Sequence, residues 1–252
     1  MQAIFRNPLV DAFILGLSAG AAFGAALSVA THLLPILPSA FLFGVIAAAT
    51  SYFVSMQHRQ VSTVTLVLSG VVVNGVFTAL LTIVQFVSDP FKLQSIVQWT
   101  MGNFQTATWE KVQLAIVPMV ISLFVLLLYR WRLNVLALGD DEARSSGYHP
   151  LRDKLILLSV MSISCSAAVA VAGIIGFYGL IVPHIVRMIV GVDNRKVIPL
   201  SMTLGGSFLV IIDSISRSLM AFELPIGIFT MIIGAPIFLF LIKRNHIGWS
   251  RG

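Results

Sequence analysis

The sequence predicts an all-α, polytopic membrane protein with about eight transmembrane helices in a single domain, residues 1–252. Of its 252 residues, 58% are hydrophobic and only 10% are charged, whereas soluble domains carry roughly 25% charged residues. The mean hydropathy is +0.96. The net charge of +6 lies in short gaps between long apolar runs, which is typical of membrane orientation signals rather than of nucleic-acid binding.

Eight apolar runs have the composition of membrane-spanning helices, and turn residues such as Pro38 and Asp89-Pro90 separate them. The apolar stretch 154–190 has 37 residues, which as one helix would be about 55 Å long. A hydrocarbon core is roughly 30 Å thick, so we divide this stretch near Gly173 and Gly176. The predicted spans are approximately 11–29, 38–56, 61–87, 111–130, 154–172, 176–190, 198–220 and 225–242.

The basic residues predict the orientation of these spans. With eight spans, thirteen of the sixteen lysines and arginines fall on the side of residues 1–10, and only Lys92, Lys111 and Arg217 fall opposite. By the positive-inside rule, both termini are expected to be cytoplasmic in a cell inner membrane. No cleavable signal peptide is expected, because a turn at Arg6-Asn7-Pro8 interrupts the first residues. The single cysteine, Cys165, is interpreted as a packing residue.

The longest polar interruption on the inner side is residues 131–153. It begins with the apolar stretch "LNVLAL", and Asp140, Asp141 and Glu142 follow, where carboxylates favour the start of a helix. Gly147 and Pro150 would end that helix. Two interpretations remain open for this loop: a short helix that offers side chains to a soluble partner, or a solvated loop with one helical turn.

Six segments, in order, resemble permeases of the iron-chelate and cobalamin class of ABC importers. The resemblance covers essentially the whole chain and implies a permease homodimer in the lipid bilayer. It also implies two cytoplasmic ATPase subunits and an extracytoplasmic substrate-binding protein, with no nucleic acid. The six segments are "RNPLVDAFILGLSAGAAFGA", "LVLSGVVVNGVFTALLT", "VQWTMGNFQTATW", "LNVLALGDDEARSSG", "AVAVAGIIGFYGLIVPHIVRMIVGVDNRKVIP" and "LVIIDSISRSLMAFELPIGIFTMIIGAPIFLFLIKR".

The resemblance also sets expectations about chemistry and about the start of the chain. The chain has no GxxxxGK[ST] phosphate loop, so ATP hydrolysis is expected on the partner, and the chain is expected to be neither an enzyme nor a cofactor binder. Members of the class usually have ten spans, with two helices before the segment that resembles "RNPL". We therefore expect two spans to be absent, through an internal start, a split gene or a truncation.

The resemblance assigns roles to residues on both sides of the membrane, and several alternatives stay open. Arg217 and Glu223 would dock the binding protein, although Asp213 and Arg217 also have the spacing of a structural pair and Glu223 is also placed to cap a helix. Ser69, Gly70, Asn74 and Thr78 would line the translocation path or pack helices together. The ATPase would bind a coupling segment that contains Leu138, Gly139, Glu142, Ala143, Arg144 and Gly147.

Two other functions compete with the importer. An ion-coupled secondary carrier uses broken helices around a midplane site, but apart from Asp213 the spans offer almost no titratable residues. A non-transporting remnant of a permease is the third hypothesis. Pro183-His184 is interpreted as a kinked helix with a hydrogen-bonded histidine rather than a metal site, because no further ligands lie at the required spacing. The sequence does not name the substrate; siderophore iron is the first candidate, followed by haem and cobalamin.

Overall fold

Apolar helices dominate the structure, a computed structural model that describes residues 1–7, 10–57, 60–61, 63–218 and 224–244. Five described helices are long and apolar enough to cross a membrane, and three shorter ones are also apolar. These eight helices correspond one to one with the eight predicted spans. Their bounds are α2 Leu17–Thr31, α3 Ile36–Ser55, α4 Thr63–Val87, α6 Trp109–Leu138, α8 Pro150–Ala172, α9 Tyr178–Val190, α10 Asn194–Ser218 and α11 Ile226–Arg244.

Short elements connect these helices. A four-residue helix, α1, opens the chain, and a 3₁₀ helix precedes α2. A hairpin of two-residue strands joins α3 to α4, with Met56 opposite Val61 and Gln57 opposite Gln60. The remaining short elements are α1 Gln2–Phe5, the 3₁₀ helix Ala12–Leu15, β1 Met56–Gln57, β2 Gln60–Val61, α5 Pro90–Thr100 and α7 Asp140–Ser145.

The division of the stretch 154–190 into two helices is confirmed. Helix α8 ends at Ala172 and is followed by Gly173, whose φ of 71° favours glycine, and α9 begins after Phe177, which has a φ of 60°. Helix α6 continues past the predicted end of the fourth span at residue 130, to Leu138. Its last two turns stay helical because Leu133 and Leu136 are buried against the core.

Close backbone approach packs α2 against α3. An ideal Cβ at Gly20 or Gly24 would overlap the backbone carbonyl groups of Phe43 or Ser39, so only glycine fits at this distance. The Ser39 hydroxyl donates a hydrogen bond to the Gly24 carbonyl at 2.8 Å. Small residues that let helix backbones approach, supported by hydroxyl hydrogen bonds, are the usual means of packing helices in a membrane.

A second backbone contact, which we call the glycine junction, joins three distant segments at the end of the bundle opposite α7. It consists of Gly102 after α5, Gly173 after α8 and Gly227 in the first turn of α11. An ideal Cβ on any of the three would overlap a carbonyl oxygen of a neighbouring segment. The Asn103 N–H donates to the Ala172 carbonyl at 2.8 Å, and the Gly227 N–H donates to the Gly102 carbonyl at 3.3 Å.

Candidate functional site

The inner segment, which we define as residues 139–149, connects α6 to α8 and carries most of the predicted coupling residues. Gly139 has a φ of 147° and Gly147 a φ of 82°, so glycine suits both bends. Helix α7 lies between them and is closed by a hydrogen bond from the Tyr148 N–H to the Ala143 carbonyl at 3.0 Å. The predicted short helix is thus confirmed, and its contact with a soluble partner stays a prediction.

The side chains of the inner segment divide into a buried base and an exposed surface. Ala143 is fully buried, and Gly139 is buried beside the Arg6 guanidinium. Leu138, at the end of α6, is 67% exposed, and Glu142, Arg144 and Gly147 are exposed as well. The inner segment therefore presents charged and apolar groups to the surroundings from a fixed backbone.

Ion pairs hold this segment with unequal strength. The Lys154 ammonium lies 2.6 Å from the Asp140 carboxylate, and the Lys154 side chain is only 12% exposed. The pair between Arg144 and Asp141 is 3.2 Å long and largely exposed, so it contributes little to stability. The contact between Lys154 and Asp140 therefore fastens the start of α7 to the first turns of α8.

Arg132 connects the end of α6 to the start of α8. Its Nη1 donates to Asp153 Oδ1 at 2.8 Å, and the Asp153 side chain is only 2% exposed. The Arg132 guanidinium also lies over the rings of Tyr129, at 4.7 Å, and Tyr148, at 5.7 Å. Charge pairing and cation–π contacts thus join both ends of the inner segment.

Asn134 connects the end of α6 to the turn between α9 and α10. Its Nδ2 donates to Asp193 Oδ1 at 2.7 Å, and its Oδ1 accepts from the Asn194 backbone N–H and from Asn194 Nδ2, both at 2.8 Å. Hydrogen bonds from Arg195, and then from Asn134, hold the pKa of the Asp193 carboxyl well below its usual range. Asp193 is therefore ionised at neutral pH and is a strong acceptor for the Asn134 amide.

The predicted docking residues are partly within the described structure. Arg217 Nε donates to Asp213 Oδ2 at 2.9 Å, so the predicted pairing on one face of α10 is confirmed. The Arg217 side chain remains 44% exposed. Glu223 lies outside the described residues. Docking by Arg217 and Glu223 stays a prediction.

The four predicted path residues do not share one environment. Ser69 is buried, and its hydroxyl donates to the Ser51 carbonyl at 2.7 Å and to the Leu66 carbonyl at 2.9 Å. Gly70 is also buried, where a Cβ would overlap the Ile14 carbonyl. Asn74 and Thr78 lie on the exposed face of α4. This chain alone thus places two of the four in helix packing and two on an open face, and path lining stays a prediction.

The described residues hold no cluster of three or more histidine, cysteine or acidic side chains that would bind a metal. His184 is buried in α9 directly after Pro183, as the sequence predicts. Its Nε2 has no hydrogen-bond partner among the described residues, so a hydrogen bond is not confirmed at that nitrogen. Cys165 packs against the hydrophobic core.

Sequence reasoning did not single out Arg132, Asn134, Asp153 or Asp193. Arg132 and Asp153 are 21 residues apart, and Asn134 and Asp193 are 59 residues apart. Spacing along one helix gave no signal for such pairs, since helical neighbours lie three or four residues apart. The polar residues within the segments "LNVLAL" and "GVDNRK" were the sequence features that could have indicated these contacts.

The chain is similar to permease proteins of several import systems. A family model described as the FecCD transport family matches residues 1–244. The chain is 40% identical over 253 residues to the molybdate import system permease protein MolB of Haemophilus influenzae, covering 98% of this chain and 74% of that protein. It is 39% identical over 250 residues to the cobalamin import system permease protein BtuC of Halobacterium salinarum, covering 98% and 67%. It is 36% identical over 255 residues to the hemin transport system permease protein HmuU of Yersinia pestis, covering 98% and 76%.

Two solved structures resemble the fold. One is described as an inward-facing conformation of an ABC transporter of metal-chelate type; it has a TM-score of 0.90 and 36% identity, and the match covers 97% of this chain and 80% of that one. The other is PsaBC from Streptococcus pneumoniae in complex with Fab, with a TM-score of 0.61 and 17% identity over 95% of this chain and 83% of that one. The second likeness supports the fold alone.

Proposed function

The chain belongs to the FecCD transport family and is an ABC transporter permease, and from this premise we propose that it imports an iron chelate or cobalamin across the inner membrane. Two copies would form the pathway, two cytoplasmic ATPase subunits would drive it, and an extracytoplasmic binding protein would deliver the substrate. Family membership argues against an ion-coupled carrier.

The observation that most supports this proposal is the rigid inner segment. Its base is held by Asp140 and Lys154, its two ends are joined through Arg132 and Asp153, and Glu142 and Arg144 remain exposed. A short helix that is held in this way and exposes charged side chains is suited to bind a soluble subunit and to follow its movement. ATP would be hydrolysed on that subunit.

The proposed orientation is supported by residues at one end of the bundle. The Arg6 guanidinium lies beside Gly139, so the N-terminal residues and the inner segment share one end. Most of the basic residues are assigned to this same end, and cytoplasmic loops carry the excess of lysine and arginine. We therefore place the inner segment and both termini in the cytoplasm.

The substrate class is supported by the names of similar permeases. The similar permeases are named for cobalamin, hemin and molybdate, and molybdate widens the range beyond the chelates expected from the sequence. In the proposed pathway, a metal would travel inside its chelate. Specificity would then be set mainly by the binding protein.

Replacing residues 140–146 with a Gly/Ser linker is expected to abolish capture of the ATPase subunit. The linker removes α7 and its charged surface but leaves the spans intact. The measurement is co-purification of the cognate ATPase with the permease after co-expression, with size-exclusion chromatography to check folding. The control carries the same type of linker at residues 104–107, between α5 and α6, and should retain the ATPase. Equal capture by both variants would contradict the coupling role.

A charge exchange in α10 separates docking from internal pairing. In the double variant Asp213→Arg/Arg217→Asp, the intrahelical pair re-forms with reversed polarity, but a cation no longer occupies position 217. If Arg217 contacts an acidic group of the binding protein, affinity should fall about tenfold, equivalent to about 1.4 kcal/mol. Binding of the cognate binding protein to permease in nanodiscs is the measurement. Unchanged affinity in the exchanged variant would leave Arg217 with the structural role only.

A further inference from the structure

The Asn134 amide is bonded at both of its polar atoms to the turn before α10. The partner of its N–H₂ group is a carboxylate, which only accepts, and the partners of its carbonyl are N–H groups, which only donate. The orientation of the amide is therefore determined by its partners. Of the side chains of this size, asparagine alone supplies a donor and an acceptor in this arrangement.

This contact lies in a packed first turn of α10. Asn194 is 6% exposed and Val197 is 3% exposed. Farther along the helix, Gly205, Ile212 and Ser216 are also buried, whereas Val210 and Ile211 are 67% and 57% exposed. One side of α10 is thus packed at both ends of the helix, and the other side faces outward within this chain.

Helix α10 extends from this contact to the opposite end of the bundle. Its 25 residues give a length of about 37 Å, enough to cross the hydrocarbon layer. Asn194 forms its first turn, and the Asp213–Arg217 pair lies in its last two turns. Helix α10 is assigned as one helix from Asn194 to Ser218, with Pro199 in its second turn, so it connects this contact to the face where the binding protein would dock.

We propose that Asn134 is a positioning residue that links the inner segment to α10, so that movement of the ATPase-facing surface reaches the Asp213–Arg217 pair. This inference rests on the proposed function. The end of α6 that carries Asn134 leads directly into Gly139, and Arg132 on the same turns is fixed to α8. The inner segment and α10 thus share one rigid connection through the last turns of α6.

The test is a reporter at the far end of α10 in the assembled complex. Cys165 is the only cysteine, so a Cys165→Ala background accepts a single spin label at Ser214→Cys, an exposed position on α10. The distance between the two labels of the permease dimer is measured without nucleotide and after trapping with ATP and vanadate. We expect a nucleotide-dependent shift in this distance for the otherwise native complex.

Asn134→Asp places a carboxylate against Asp193 and should abolish the shift, while capture of the ATPase and ATP hydrolysis continue. Asn134→Leu removes the bonds without adding charge and should have the same effect. The exchange Asn134→Asp/Asp193→Asn restores a donor opposite an acceptor and should recover the shift. Recovery in the double variant distinguishes a positioning role from a general loss of stability. If Asn134→Asp acted only by destabilising the protein, adding Asp193→Asn would not restore the shift.

The outcomes test the positioning role of Asn134 separately from the proposed function of the permease. If the otherwise native permease does not capture the ATPase, the proposed function fails. If capture and hydrolysis occur but the label distance never shifts, or shifts equally in Asn134→Asp and Asn134→Leu, the positioning role is overturned. Loss of the shift in the single variants with recovery in the exchange supports it.

Discussion

Arg132→Leu is expected to destabilise the protein by about 3–5 kcal/mol, because it leaves a buried carboxylate without its charged partner. The Asp153 side chain is 2% exposed, and its Oδ2 already has no hydrogen-bond partner among the described residues. Leucine also removes the guanidinium from the Tyr129 and Tyr148 rings. The loss is read as a lower melting temperature of the purified protein.

The partner substitution should be milder. Asp153→Leu leaves an arginine that is 43% exposed and can turn towards water, so the expected loss is about 1 kcal/mol. The double variant Arg132→Leu/Asp153→Leu should recover most of the stability lost in Arg132→Leu, since replacing a buried ion pair with apolar residues is often close to neutral. Equal losses in the two single variants would refute this asymmetry.

Gly102→Ala is expected to cost about 2–5 kcal/mol, through two separate effects. The backbone at Gly102 has a φ of 68°, which side chains rarely adopt, and the added methyl group would overlap the Ile174 carbonyl. The glycine junction would have to open, which would separate α5 from the α8–α9 connection. Thermal unfolding, together with the yield of monodisperse protein, measures the effect.

Two glycines elsewhere serve as controls for these effects. Gly191 has a φ of 80° and a ψ of −168°, a backbone region essentially open only to glycine, but no atom lies within 4 Å of an added Cβ, so Gly191→Ala carries the backbone strain alone, about 1–3 kcal/mol. Gly75 is helical and equally open, and alanine there should be neutral or stabilising by about 0.5–1 kcal/mol. If Gly102→Ala were no more harmful than Gly191→Ala, the tight contact at the junction would have no energetic weight.

The sequence predicted the eight spans well because hydropathy is a local property that needs no knowledge of partners. It did not reveal the features that packing decides. Arg130 and Arg132 mark the predicted end of a span, and buried Leu133 and Leu136 keep α6 helical beyond them to Leu138. Helix α5 was missed because its apolar content is modest, although the Asp89 side chain caps its first N–H groups and Pro90 opens it, which is a recognised helix start.

The site was predictable only in its local part. The acidic residues after Gly139 indicated α7, because carboxylates favour a helix N-terminus, and the structure contains that helix. The contact between Asn134 and Asp193 joins residues far apart in sequence, and no periodic pattern encodes such a pair. The sequence pattern also did not show that Ser69 and Gly70 are buried while Asn74 and Thr78 lie on the exposed face of α4.

Helix α6 has 30 residues and a length of about 45 Å, so it outreaches a hydrocarbon layer of roughly 30 Å. In the proposed orientation, the last turns of α6 would form a helical stalk that carries α7 beyond the hydrocarbon layer. Each helical residue adds 1.5 Å and turns the chain by about 100°. Adding or deleting one residue in the stalk would therefore rotate α7 to a different direction around the bundle. In the proposed complex, the stalk would thereby set both the height and the direction at which the ATPase subunit meets the permease.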